Sequence, residues 1–351
     1  MIRVAIVGAG IGRMHLEGYR ELPDMFEVRT ICDLDLKRAA EMVSEQETIA
    51  LSDDIQAVLA DPEIDLVDVC LPPQLHFDVT KAVLQAGKHA VCEKPLVRSV
   101  AEADVLIRIA SQTGKQIFPV FQYRYGPATA RLQALIDAGL AGKPLVATVE
   151  THWNRREDYY AVDWRGTWSG ESGGAILGHA IHNHDLLCRF MGPVRNLSAM
   201  LDTRVNDIEV DDCAAISMRM ENGALATSSV TLGSSEEISR LRFVYSGLTV
   251  ESGTEPYTPA QGTWRYIARD PENQPRVDEV VASVCEVKCG FAGFFKAIGE
   301  ALGGVPGNEV TLEDGRRSIE LVTAIYQAAR SGGQVSLPLG TASGLYRGWT
   351  P

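Results

Sequence analysis

Seven cysteines, at positions 32, 70, 92, 188, 213, 285 and 289, make no CxxC pair, and an odd number closes no complete disulfide framework. They read as reduced thiols in a core, with Cys285 and Cys289 four apart on a helix. No apolar stretch approaches the roughly 18 residues that a membrane-spanning helix needs. Positive charge is also short. Lys and Arg number 33 against 46 Asp and Glu, a net charge of −13, which argues against an electrostatic surface for nucleic acid or anionic lipid. Any anionic ligand must therefore be held by local donors rather than by the overall field. Internal repeats and low-complexity segments are missing too. The opening Met1-Ile2-Arg3-Val4-Ala5-Ile6-Val7 reads as a strand instead of a basic leader with a long apolar region, so a cytoplasmic location is expected.

A chain of 351 residues exceeds what one core usually supports, and two domains are expected, 1–121 and 122–351. Through about residue 121, short apolar runs alternate with helix-compatible segments: strands over 2–7, 27–32, 66–71, 89–92 and 116–121, helices over 36–44, 77–86 and 101–113. That alternation predicts a doubly wound parallel sheet. Beyond it the candidate strands lengthen and alternate in polarity (145–152, 214–220, 224–232, 240–245), with turns such as Glu221-Asn222-Gly223 between them. A mostly antiparallel sheet with one solvated or self-associating face follows. A capping box of Thr311 and Asp314 starts a late helix whose apolar stripe runs from Ile319 to Ala329.

Gly8-Ala9-Gly10-Ile11-Gly12-Arg13 follows the first strand and opens a helix. Glycines there permit a tight turn and bring amide donors up to a pyrophosphate. The spacing is irregular, with Arg13 where a GxGxxG pattern would have its third glycine. Asp33, at the end of the second strand, stands where a carboxylate accepts from the adenosine ribose hydroxyls. It would repel a 2′-phosphate, which favours NAD over NADP, although Lys37 and Arg38 lie close enough to soften that repulsion.

Three further segments carry a resemblance: Leu71-Pro72-Pro73-Gln74-Leu75-His76, Ala90-Val91-Cys92-Glu93-Lys94-Pro95-Leu96, and Gly173 through Asp185. With the Gly-rich turn, they make the chain similar, over essentially its whole length, to the glucose–fructose oxidoreductase / inositol dehydrogenase / rhizopine catabolism (Gfo/Idh/MocA) family. The resemblance implies an N-terminal Rossmann domain and a C-terminal α/β domain with a large open sheet, the substrate lying between them over the nicotinamide. It implies cofactor contacts from Gly8, Gly10, Ile11, Gly12, Arg13, Asp33, Leu71, Pro72, His76, Glu93 and Lys94. Lys94 would also touch the substrate oxygen, and His182 would match the family's catalytic histidine. The family works without metal and often forms dimers or tetramers through its open sheet.

Oxidising a secondary alcohol of a sugar, glycoside or cyclitol needs a base near neutral pKa, here His182, and a cation beside the developing alkoxide, here Lys94. The family places an aspartate four residues before its histidine. Gly178 stands there instead, so His179 is the candidate replacement. Asp185, one helical turn beyond His182, either orients that ring or caps nearby backbone. A zinc reading of the closely spaced histidines lacks a supporting HExxH or Cys/His pattern. For substrate, family position selects Tyr123, His152 and Asn154. The aromatic and Arg-rich stretch containing Trp164 and Arg165 adds faces and planar donors suited to polyols. The same residues would also serve an NAD-dependent glycosidase that oxidises transiently; a non-catalytic dinucleotide-sensing regulator is a third reading, against which the retention of Lys94 and His182 weighs.

Overall fold

A computed structural model describes residues 1–351, and the chain divides into two compact units. The first contains Met1–Gln122 and Phe291–Ile319, the second Tyr123–Gly290 and Glu320–Pro351. The return of residues 291–319 to the first unit differs from a single cut near residue 121. Its cause is the strongly apolar helix Gly290–Leu302, which lays Phe291 and Phe295 on the helix Gly12–Arg20. Gly18 allows the contact, because a Cβ there would come within 2.9 Å of both phenylalanine side chains.

Six strands build the first sheet: β1 (Ile2–Val7), β2 (Phe26–Cys32), β3 (Ala50–Ser52), β4 (Leu66–Val69), β5 (His89–Cys92) and β6 (Ile117–Pro119). All pairs are parallel, in the order β3-β2-β1-β4-β5-β6. This is a doubly wound Rossmann sheet, and its direction of winding reverses between β1 and β4, where such sheets collect ligands. The middle strands are buried on both faces, and the apolar run of β4 is broken only by the buried Asp68. The expected 36–44 helix stops early, at Leu36–Ala40. Ser44 donates from its amide and hydroxyl to Glu47, at 2.9 and 3.1 Å, and that local turn competes with further helix.

The second sheet has eight strands: β7 (Pro144–Asn154), β8 (Val194–Asp202), β9 (Cys213–Met220), β10 (Leu225–Thr231), β11 (Gly233–Tyr245), β12 (Leu248–Glu251), β13 (Arg265–Ala268) and β14 (Val335–Ser336). Their order is β13-β12-β11-β7-β10-β9-β8-β14, antiparallel except where β10 meets β7. Strand alternation sorts β7 cleanly: Ala147, Val149, Thr151 and Trp153 are buried, whereas Thr148, Glu150, His152 and Asn154 face the other way. The buried face receives the helix Ile181–Met191, whose Asn183 donates to Thr151 at 2.8 Å and whose His184 meets Ser228 at 2.9 Å. The late helix, Leu312–Ser331, starts on the expected box: Thr311 accepts from the Asp314 amide and Asp314 from the Thr311 amide.

Candidate active site

At the end of β1 the backbone of Gly8 takes φ +107, and a Cβ there would sit 2.2 Å from the Cys70 carbonyl oxygen. Only glycine fits this turn. Gly12 opens the helix and is buried, while Gly10 and Ile11 are exposed, so the turn offers its backbone to solvent. Asp33 follows β2 directly. Its carboxylate accepts from the Ala9 amide at 2.6 Å and the Asp35 amide at 2.8 Å, and both oxygens lie 2.8 Å from Arg38 Nη2. Burial works against its ionisation, but the two amides and Arg38 outweigh burial and hold the carboxyl below its usual range.

The open glycine turn and a fixed carboxylate at the next strand end fit a dinucleotide, the pyrophosphate on the turn and a ribose on Asp33. Arg13 departs from the expected set. Its side chain is exposed and reaches Glu41 at 3.6 Å. His76 also takes a different part: it is fully buried, and its ring bridges the Leu71 carbonyl (2.7 Å) and the Pro95 carbonyl (2.6 Å). It ties together the two segments that bear Pro72 and Lys94 and has no surface of its own to offer a ligand. Glu93 Oε2 accepts from the Lys94 amide at 2.9 Å, while Lys94 itself is half-buried before a cis proline bond.

In the second unit the histidines sit at a change of helix type. Residues Ile176–Ala180 form a π turn that runs into the 181–191 helix. Such turns cluster at functional sites. Three features fix it: Asp211 accepts from the Gly174 and Ile176 amides at 3.1 and 3.0 Å, and Tyr326 donates to Asp211 at 2.5 Å. The C-terminal tail docks just behind, with Trp349 buried, stacked on Tyr326 and donating to the Ser172 carbonyl. His182 stacks on Tyr123, centroids 4.3 Å apart, and His179 stands edge-on to Trp153 at 5.3 Å. Gly178 faces open space, since a Cβ there would meet nothing within 4 Å. His184 is a core residue: burial pushes its pKa down to about 4.

Asp185, the candidate orienting acid, is engaged by the 122–124 turn. Arg124 takes its carboxylate in a bidentate grip, at 2.7 and 2.6 Å, with both side chains buried. That pair anchors the 122–124 turn, and so Tyr123, to the helix carrying His182. His152 and Asn154 depart further, for they lie on the face of β7 opposite the helix, where His152 meets Ser229 at 2.9 Å. Trp153, between them, is the residue that joins the histidines.

Around Trp153 the aromatic and Arg-rich stretch closes into a cage, to which Tyr257 and Glu237 are added from distant segments. Arg155 lies 5.1 Å over Trp153, 5.0 Å over Tyr159 and 5.7 Å over Tyr257, and it is paired with Glu237. Arg165 stacks 3.8 Å from the Tyr159 ring and 5.3 Å from Trp164. Ser239 gathers the base of the cage, accepting from Trp153 and Asn183 and donating to the Pro256 carbonyl at 2.8 Å. No local motif announces Tyr257 or Glu237. The metal-capable donors that converge most closely are not these histidines but His15, Asp68 and Cys70, within 4.8 Å of one another in the first unit and hydrogen-bonded together.

Residues 2–121 match the family model described as an oxidoreductase family with an NAD-binding Rossmann fold, and 129–249 match the GFO/IDH/MocA C-terminal domain. The chain belongs to the GFO/IDH/MocA family. It thus carries the NAD-binding Rossmann domain and the C-terminal domain of that family, with the fold that its sequence implied. An uncharacterized oxidoreductase of Synechocystis is 27% identical over 66% of this chain, and the match spans 65% of that relative. Myo-inositol 2-dehydrogenase of Thermotoga maritima is 27% identical over 64% of this chain and 66% of its own length. The matched stretch thus covers about two thirds of these curated relatives. Among solved structures, the WlbA dehydrogenase of Bordetella pertussis in complex with NADH and UDP-GlcNAcA is 27% identical, covers 97% of this chain and 99% of its own, and superposes with a TM-score of 0.82.

Proposed function

We propose that this GFO/IDH/MocA protein transfers a hydride between NAD and a secondary hydroxyl of a sugar, glycoside or cyclitol. The observation that carries this reading is the cage of Trp153, Tyr159 and Tyr257 around Arg155, with Arg165 beside it. Aromatic faces pack on the C–H faces of a sugar ring, and planar guanidinium donors take its hydroxyls. Relatives named as an inositol dehydrogenase and a dehydrogenase solved with a nucleotide sugar support the same class.

When bound, the nicotinamide supplies the hydride acceptor. His182, held by its stack on Tyr123, takes the hydroxyl proton, and Lys94 stabilises the negative charge that develops on oxygen. His179 holds a neighbouring hydroxyl. Asp33 seats the adenosine ribose and favours NAD, with NADP as the lesser cofactor. We also assign self-association, as a dimer or tetramer, to the open face of the second sheet, and action in the cytoplasm. A panel of sugars, glycosides and cyclitols incubated with NAD, read by NADH formation and product analysis, tests the function. Net NADH with an oxidised product is expected; cleavage of a glycoside without net NADH would replace the dehydrogenase reading.

A further inference from the structure

Beneath the glycine turn lies a chain of buried charge that the proposed reaction does not itself use. His15, fully buried on the 12–20 helix, places Nδ1 2.8 Å from Asp68 Oδ2 on β4 and Nε2 3.1 Å from Glu93 Oε1 at the end of β5. Glu93 then spends its other oxygen on the Lys94 amide, at 2.9 Å. Around the ring, Tyr19 donates to Asp68 at 3.1 Å, Cys70 Sγ lies 3.3 Å from Nδ1, and the Phe291 ring closes over it at 4.4 Å. A neutral imidazole donates from one nitrogen only. With a carboxylate at each nitrogen, this ring fills both contacts as an imidazolium. Burial alone would discharge it, but Asp68 and then Cys70 outweigh burial, and its pKa stands well above the ordinary histidine value.

We infer that Asp68, His15 and Glu93 form a buried ion relay that positions Lys94 for catalysis, a role resting on the proposed part of Lys94 in the reaction. The geometry gives each member a separate task. Asp68, steadied by Tyr19, fixes the tilt of the His15 ring. His15 holds one Glu93 oxygen, which leaves the carboxylate one orientation in which to clamp the Lys94 backbone. Without the imidazolium, Glu93 loses its contact at Oε1 and the two buried carboxylates lose the cation between them, so the acceptor of the Lys94 amide is held less firmly. His15 never touches substrate and is a positioning residue.

Three measurements on the full-length protein test this. In wild type labelled with [15N]histidine, His15 is expected to keep both ring N–H protons well above the pH at which an ordinary histidine loses one; a ring that titrates near the ordinary value of about 6.5 overturns the relay. In protein labelled with [15N]lysine, the Lys94 amide is expected to exchange with solvent about tenfold faster in His15→Gln, and an unchanged rate overturns the positioning role. This readout needs no substrate, so it stands or falls apart from the dehydrogenase reading. With an alcohol that the wild type oxidises, His15→Gln is expected to lower kcat about tenfold while KM and the NADH dissociation constant stay within about threefold. Full kcat in a folded variant would reject the inference. Equal loss in kcat and in cofactor binding would mark a merely structural residue and also reject it.

Discussion

In the first unit the groups proposed to meet cofactor or substrate follow the carboxyl ends of parallel strands: Gly8 after β1, Asp33 after β2, Leu71 and Pro72 after β4, Glu93 and Lys94 after β5. In the second unit the corresponding groups come from a π turn, the start of the 181–191 helix, a 3-10 turn, the end of β7, the short helix holding Tyr159 and the loops holding Arg165 and Tyr257. One topological rule assembles the first set, because parallel winding brings successive strand ends to one edge. No such rule assembles the second. There, side chains are placed pair by pair, through Arg124 with Asp185 and Arg155 with Glu237. The comparison teaches that the proposed cofactor site rests on backbone topology, while the proposed substrate site rests on side-chain pairs.

The largest way to break that contrast is to cut one of those pairs. Asp185→Ala takes the bidentate carboxylate away from the buried Arg124 guanidinium, and is expected to cost about 3–5 kcal/mol of stability. Chemical denaturation checks this, and a loss below about 1 kcal/mol would show the pair to be incidental. His182→Ala should come next, lowering turnover about 10²–10⁴-fold with NADH binding nearly intact. Steady-state kinetics beside fluorescence titration would expose a wrong assignment through retained turnover.

These expectations also show how much could be read beforehand. The first unit was legible because glycine, strand and acid succeed one another in order, and each step follows from local chain chemistry. In the second, the strands and the 181–191 helix were legible from their periodicity, but the partners of the site residues were not. Arg124 and Asp185 lie 61 residues apart, and Arg155 and Glu237 82 apart, with no motif to join them. The placing of His152 and Asn154 was recoverable: period-two alternation along β7 sets them opposite Trp153, and Trp153 meets His179. The π turn was not, since nothing in Ile176–Ala180 distinguishes it from an α-helical turn.

Two smaller effects sharpen the first half of the comparison. Asp33→Ala frees Arg38 from its carboxylate and removes the repulsion of a 2′-phosphate. The NADP to NAD preference is expected to rise about tenfold, near 1.4 kcal/mol; a fixed ratio would place discrimination elsewhere. The smallest effect concerns pH. The folded-state pKa of His15 is raised, so its stabilisation is fully present below the unfolded value of about 6.5 and is lost as pH climbs towards the folded one. The Tm of wild type should fall in alkaline solution more steeply than that of His15→Gln, and parallel curves would contradict the charged ring.

The most direct trial of the whole account is Lys94→Ala, assayed for NADH formation on the alcohol that wild type oxidises and, in parallel, for NADH affinity. A fall in turnover of about 10²–10³-fold, with affinity held within about tenfold, is the expected result. Near-normal turnover from that variant would contradict it.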